Sequence, residues 1–296
     1  MGSGAGDVRI GISGWRYKPW RGVFFPADLP QRAELAYAAE RFASIEINGT
    51  FYSLQRPGSF ARWAAETSED FVFAVKGSRY ITHMRRLNDI EVPLANFLAS
   101  GLLGLGAKLG PILWQFPPNF RFDEARMAGF FGLLPHDTAT AATIAQRCDA
   151  RMQGRALTAA AGQRRLRHAV EIRHASFACP AFVEMLRAFG VALVCADTGI
   201  WPRLMDLTAD FVYCRLHGAE ELYSSGYDGP ALDAWAARVL AWAQGSEPDD
   251  AERVLPAWND RRPRDVFVYF DNDVKVRAPF DALALRQRVD PLLGPD

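Results

Sequence analysis

The sequence predicts a single (β/α)8 TIM-type barrel of parallel strands with surrounding helices. Three observations carry that reading. Eight short apolar or alternating runs recur along the chain, segments with helical patterning fill most of the gaps between them, and 296 residues at 49% hydrophobic suffice for one large core. Strands alternating with helices build βαβ units and hence a parallel sheet, and eight such units suit closure into a barrel. A doubly wound open sheet is the alternative.

The first four runs are VRIGISGW (8–15), SIEINGTFY (44–52), FVFAVKG (71–77) and PILWQF (111–116). The last four are HAVEIRH (168–174), ALVCADT (192–198), FVYCRLHG (211–218) and VFVYFDN (266–272). Between them, LPQRAELAYAAERF, SFARWAAET, CPAFVEMLRAFG and ALDAWAARVLAWAQG place apolar residues at helical spacing. MGSGAG, residues 1–6, reads as a flexible tail or cloning scar, leaving 7–296 for the barrel. Two stretches exceed the plain repeat. Residues 136–167 are rich in alanine and arginine, and Arg147, Arg151 and Arg155 recur every four residues, as on one helix face. GSEPDDAERVLPAWNDRRPR, which precedes the eighth run, belongs at the N-terminal end of the barrel, away from the usual catalytic face.

Formal net charge is zero, so no bulk field attracts nucleic acid or an anionic membrane, and preference for an anion must come from a local patch. No apolar run is long enough to span a bilayer and no signal peptide is visible, so the expected compartment is the cytoplasm, with no membrane partner. Cys148, Cys179, Cys195 and Cys214 lack C-x-x-C spacing and read as reduced thiols. The glycines of GSGAG precede the first strand and form no phosphate-binding fingerprint, so no nucleotide cofactor is expected.

Alternate residues of a strand face opposite sides. Ile45 and Ile47 oppose Glu46 and Asn48, Val75 opposes Lys76, and Val170 and Ile172 oppose Glu171 and Arg173. Val212, Cys214 and Leu216 oppose Tyr213, Arg215 and His217; Val268 and Phe270 oppose Tyr269 and Asp271; the sixth run ends at Asp197. With the apolar side against helices, the polar side lines the barrel interior. An unpaired charge there costs several kcal/mol, on the order of magnitude that forces pairing or a wet cavity. Glu46, Glu171, Arg173 and Arg215 fit a closed ion-pair network. Asn48, Lys76, Asp197, His217 and Asp271 fall at C-terminal strand ends, where barrel enzymes place their chemistry.

GISGWRYKPWRGVFFP, IEINGTFYSL, FAVKGSRYITHMRRL, WQFPPNF, AVEIRHASF, CRLHG and VYFDND, in that order along nearly the whole chain, resemble the DUF72 (YecE-like) family. The resemblance implies a TIM-barrel fold, similar to the barrels of endonuclease IV and xylose isomerase, and brings no reaction with it. Phe177 stands where the family commonly has tryptophan, and the 136–167 segment is unusually rich in alanine and arginine.

Two loops concentrate cations. GWRYKPWRGVFFP interleaves Trp15, Tyr17, Trp20, Phe24 and Phe25 with Arg16, Lys18 and Arg21, which suits either stacking on a ligand or an aromatic plug over the barrel. KGSRYITHMRRL adds Lys76, Arg79, His83, Arg85 and Arg86, a one-sided set that fits an anion. The expected function is therefore an enzyme for a phosphorylated or otherwise anionic substrate, nucleic-acid-derived substrates included, with phosphoester hydrolysis as the leading reaction. His217, Asp197, Glu171 and Asp271 are the catalytic candidates. Trp15, Glu46, Asn48, Lys76, Arg79, His83, Arg173, Arg215, Tyr269 and Asn272 are the binding candidates. A divalent metal on Glu46, Glu171, Asp197, His217 and Asp271 is not favoured, because Lys76, Arg173 and Arg215 compete for the carboxylates. The alternatives are a non-catalytic binder of anions or nucleic acid, and an acid/base glycosidase using Glu46, Glu171 and Asp197. Carboxylates about 5–10 Å apart across an open gap mark the glycosidase; carboxylates capped by arginine mark anion binding.

Overall fold

The computed structural model describes residues 4–218, 222–223 and 225–293. The first three residues of MGSGAG lie outside the described residues, while Gly6 donates its N–H to Ala243 O at 2.8 Å. Eight strands form a closed barrel in sequence order. They are β1 (Val8–Ser13), β2 (Ser44–Ile47), β3 (Val72–Lys76), β4 (Leu109–Gln115), β5 (His168–Glu171), β6 (Ala192–Asp197), β7 (Phe211–Leu216) and β8 (Asp265–Phe270). Each predicted run overlaps its strand, with β4 and β8 beginning two residues and one residue earlier than their runs, and the doubly wound alternative is excluded. No helix among the described residues is long and apolar enough to cross a membrane.

Contacts divide the chain into two compact units, Met1–Ile45 with Ala175–Asp296, and Glu46–His174. In the first, β7 pairs in parallel with β6 and β8, and β8 with β1. Helices Pro180–Phe189, Gly229–Ala243 and Ala278–Leu293 supply its apolar cover. Alternation is strict here. Tyr213 meets Phe267 and Tyr269 at ring-centroid distances of 6.5 and 5.2 Å, and Tyr269 Oη lies 2.6 Å from Ser44 Oγ. The loop after β1 forms the aromatic plug. Trp20 and Phe25 are fully buried, and Phe24 packs on Phe25, Phe42 and Phe280 at 4.9, 6.1 and 6.2 Å. Trp20, Phe24 and Phe25 are thus committed to packing, while Tyr17 stays half-buried.

In the second unit β4 pairs in parallel with β3 and β5. Trp114 faces Phe97 and Phe130 of helices Glu91–Ala99 and Glu124–Leu133, and its indole N–H bonds His168 Nδ1 at 3.1 Å. Leu113 and Gln115, with their β5 neighbours Ala169 and Glu171, take the opposite face. Two expectations are corrected. The fifth strand stops at Glu171, so Arg173 belongs to the connection that follows it. The arginines of 136–167 share no helix: the helix spans Thr138–Ala145, and Arg151 lies in a separate short turn, paired with Asp149 at 2.6 Å. An N-cap at Asp137, accepting from Thr140 N at 2.8 Å, starts that helix; the Arg-Cys-Asp sequence follows its end.

Candidate functional site

The first unit gathers polar groups around the ends of β7 and β8. Arg215, fully buried on β7, donates from Nη2 to Asp271 Oδ2 at 2.7 Å, and Ser13 Oγ of β1 lies 3.3 Å from the same nitrogen. Two residues along, where alternation returns to the same face, His217 Nδ1 lies 3.2 Å from Asp271 Oδ2. Trp201 stacks on the imidazole at 5.8 Å, and Tyr223 meets it edge-on at 5.3 Å, so His217 is completely enclosed. Backbone bonds secure this arrangement. His217 donates its N–H to Asp197 O, Tyr223 to His217 O, and Val274 to Tyr223 O. Gly218 turns the chain after the histidine at φ 114, in the left-handed region that favours glycine.

Asp273, two residues past Asp271, was not among the sequence candidates. Burial, then the charge of Asp271, raises its carboxyl to about pKa 6, against hydrogen bonding to Tyr17 and the attraction of Arg215. Tyr17 donates from its hydroxyl to Ser13 O at 2.5 Å. It can lie there because residue 14 is glycine: a Cβ at Gly14 would stand 2.9 Å from the Tyr17 hydroxyl, and φ there is 80°. The alternation 269, 271, 273 in VYFDND was the signal that could have found Asp273.

Four candidates of this unit lie elsewhere. Asp197 pairs in register with Leu216, not Arg215, so its side chain falls on the helix-facing side. There it accepts from Trp235 Nε1 at 3.2 Å and Arg203 Nη1 at 3.1 Å. The expected inward orientation of Asp197 is thus corrected: the strand's last residue has the parity of Cys195, not that of Arg215. Asn272 points toward helix Ala278–Leu293, donating to Asp281 Oδ2 at 2.7 Å and Ser225 O at 2.9 Å. Tyr269 is sealed against Ser44, and Trp15 is buried just beyond β1.

The second unit assembles a cationic group at the ends of β3 and β5. Glu171, fully buried, accepts from Arg173 Nε and Gln115 Nε2, both at 2.8 Å. Lys76 Nζ sits 4.5 Å from the centre of the Phe51 ring, and His83 meets that ring edge-on at 5.1 Å. Arg79 lies over Tyr52 at 5.6 Å and has no carboxylate partner among the described residues. Burial, then Arg173, Lys76 and Arg79, hold His83 at about pKa 4, only partly opposed by Glu171. His83 rides on a wide, π-type turn, Tyr80–Met84, with Thr82 Oγ1 2.9 Å from its Nδ1. Arg86, Leu87 and Asp89 follow at φ 49, 66 and 46, a concentration of backbone strain of the kind functional segments store.

Thr50 Oγ1 lies 2.7 Å from Lys76 O and 2.9 Å from Ile47 O, tying the turn after β2 to the end of β3. That turn, Gly49–Tyr52, is helical where the sequence reading extended a strand, and it presents Phe51 and Tyr52 to the cations. Asn48 precedes it with Oδ1 buried and unbonded among the described residues, and Glu46 is buried within β2. Among the described residues no three His, Cys, Asp or Glu side chains converge as metal ligands.

Fold and polar strand ends together define a parallel (β/α)8 barrel with ionisable residues on the strands and on the segments that follow them. A family model described as "Protein of unknown function DUF72" matches residues 9–293, and the chain belongs to that family. It is 28% identical over 132 residues to UPF0759 protein YunF of Bacillus subtilis, covering 41% of this chain and 44% of that one. It is 29% identical over 143 residues to UPF0759 protein YecE of Escherichia coli K12, covering 42% of this chain and 50% of that one. The chain thus spans half or less of the curated relatives it matches. In fold, it is similar to a DUF72 family protein from Thermotoga maritima (TM-score 0.73, 24% identity, 96% of this chain and 99% of that). A second, from Enterococcus faecalis, has TM-score 0.66 at 18% identity, covering 98% and 97%.

Proposed function

We propose that this chain is an enzyme acting on a phosphorylated or otherwise anionic substrate, and that phosphoester hydrolysis is its reaction. The observation that carries the proposal is the convergence of Lys76, Arg79 and Arg173 on His83, with Arg79 lacking a carboxylate partner among the described residues. Arg79 carries a charge that no carboxylate among the described residues balances, and an anion relieves the repulsion among neighbouring cations through charge-assisted hydrogen bonds. Phe51 and Tyr52 beside them add aromatic faces, which extends the substrate class to nucleotides and nucleic-acid fragments. Glu171, Asp197 and Asp271 each carry an arginine, which favours this reading over the glycosidase. Four unpaired thiols fit a cytoplasmic setting.

The test is thermal unfolding with sulfate or phosphate against chloride at matched ionic strength. A specific anion at a hundredfold excess over its Kd stabilises by about 2.7 kcal/mol. Lys76→Gln, Arg79→Gln and Arg173→Gln should each remove most of that gain. Equal stabilisation by chloride sinks the anion site. Turnover of phosphoesters by the wild type separates the enzyme from a protein that only binds.

A further inference from the structure

The histidines differ in what their ring nitrogens can reach. His217 is completely enclosed, and His168 is buried with Nδ1 accepting from Trp114 Nε1 at 3.1 Å and Nε2 2.8 Å from Pro135 O. His83 is half-buried, and among the described residues its Nδ1 has a hydrogen-bonding partner while its Nε2 has none. We propose that His83 Nε2 is the nucleophile of this enzyme, taking the phosphoryl group from substrate as a phosphohistidine that water then hydrolyses, with Thr82 as the positioning residue for the ring. The inference rests on the hydrolase reading and deepens it by naming the atom that attacks phosphorus.

An attacking imidazole needs a lone pair on one nitrogen, so its proton must sit on the other. Thr82 Oγ1, fully buried, donates to Ser78 O at 3.5 Å and lies 2.9 Å from His83 Nδ1. A hydroxyl has one proton to give. Toward the ring Thr82 therefore accepts, which puts the proton on Nδ1 and leaves Nε2 bare. Burial, then Arg173, Lys76 and Arg79, hold His83 at about pKa 4, so that lone pair is present at neutral pH. The Phe51 ring brings nucleophile and cation to one place, with Lys76 Nζ 4.5 Å from its centre and His83 edge-on at 5.1 Å. The same cations meet the charge of phosphoryl oxygens as the P–N bond forms. The turn that carries the ring is pinned by Arg85 N donating to Tyr80 O at 2.8 Å, the wide π-type bond that recurs at functional sites.

A covalent intermediate splits the reaction into two displacements. In the first, the Nε2 lone pair forms a P–N bond while the ester P–O bond breaks with its electron pair on the departing oxygen. That oxygen takes a proton from solvent. The Nδ1 proton stays on the ring, directed at Thr82 Oγ1. In the second, the oxygen of a water molecule forms a P–O bond as the P–N bond breaks and its pair returns to Nε2. One proton of that water stays on the phosphate product and the other goes to solvent, so the enzyme ends as it began.

Stereochemistry and labelling test the proposal. Hydrolysis of a thiophosphate ester chiral at phosphorus, run in isotopically labelled water, should retain configuration, because each of the two displacements inverts it. Reaction with p-nitrophenyl phosphate, stopped in alkali, should leave on His83 a phosphoryl group that peptide mass spectrometry locates and acid removes. His83→Gln should lose turnover by about 10³-fold or more. Phosphate should still raise the melting temperature of that variant, which separates loss of the nucleophile from loss of the fold or the anion site. Thr82→Val should lower kcat at unchanged KM, and Thr82→Ser should restore it. Inversion at phosphorus, or turnover that survives His83→Gln, overturns the proposal and leaves the hydrolase reading standing with water as the direct nucleophile. Absence of turnover on any phosphoester removes that reading and the nucleophile role together.

Discussion

The two units treat a buried acid and a neighbouring histidine in opposite ways. In the first, Asp271 lies against both Arg215 and His217, and the histidine is sealed between Trp201 and Tyr223. In the second, Glu171 is satisfied by Arg173 and Gln115, and His83 is left half-buried among cations that disfavour its protonation. One histidine has a carboxylate beside it, the other has Lys76, Arg79 and Arg173. Residue type thus does not set the surroundings: the same side chain stands beside a carboxylate in one unit and among cations that oppose its protonation in the other.

The largest expected effect comes from the arginines. Arg215→Met leaves the buried Asp271 without the fully buried guanidinium that pairs with it, and one-sided removal of a buried pair costs about 3–5 kcal/mol. Arg173→Met should cost less, roughly 2 kcal/mol, because Gln115 still donates to Glu171. Denaturant unfolding of both variants measures the gap; equal costs would erase the contrast between the units.

Opposite pH signatures come next. His83 has its folded pKa lowered from 6.5 to about 4, so the folded state binds fewer protons in that window. Its stabilisation is full above pH 6.5 and is lost as the pH falls toward 4. Asp273 has its folded pKa raised from 3.8 to about 6, so its contribution is full below 3.8 and is lost as the pH rises through 6. Each amounts to roughly 1–2 kcal/mol once solvent screening is allowed for. Melting temperature against pH should therefore flatten on the acid side in His83→Gln and on the neutral side in Asp273→Asn. Identical changes in the two variants would contradict the charge environments described above.

Gly14→Ala should have the smallest effect, about 1–2 kcal/mol from the left-handed backbone and the displaced Tyr17 hydroxyl. Because Tyr17 bonds Asp273, the variant should also shift the Asp273 titration without moving that of His83. A variant with wild-type stability and an unchanged Asp273 titration would remove Tyr17 from the support of that carboxyl.

Alternating hydrophobicity determined the eight strands and their interior faces, because a strand buried on its helix side must keep that side apolar. It thereby placed Arg215, His217 and Asp271 together, and Glu171 with Arg173. The ends of strands were beyond its reach. Asp197 and Asn272 look like neighbours of His217 in sequence patterning, yet the register of β6 against β7 and a bond to Asp281 turn them toward the helices. The helical turn after β2 that brings Phe51 to Lys76, and the turn after β8 that leaves Asp273 beside Asp271, depend on contacts across elements. Local sequence carries the period of a strand, whereas the direction of a side chain where the strand ends is set by whichever distant partner satisfies its hydrogen bonds.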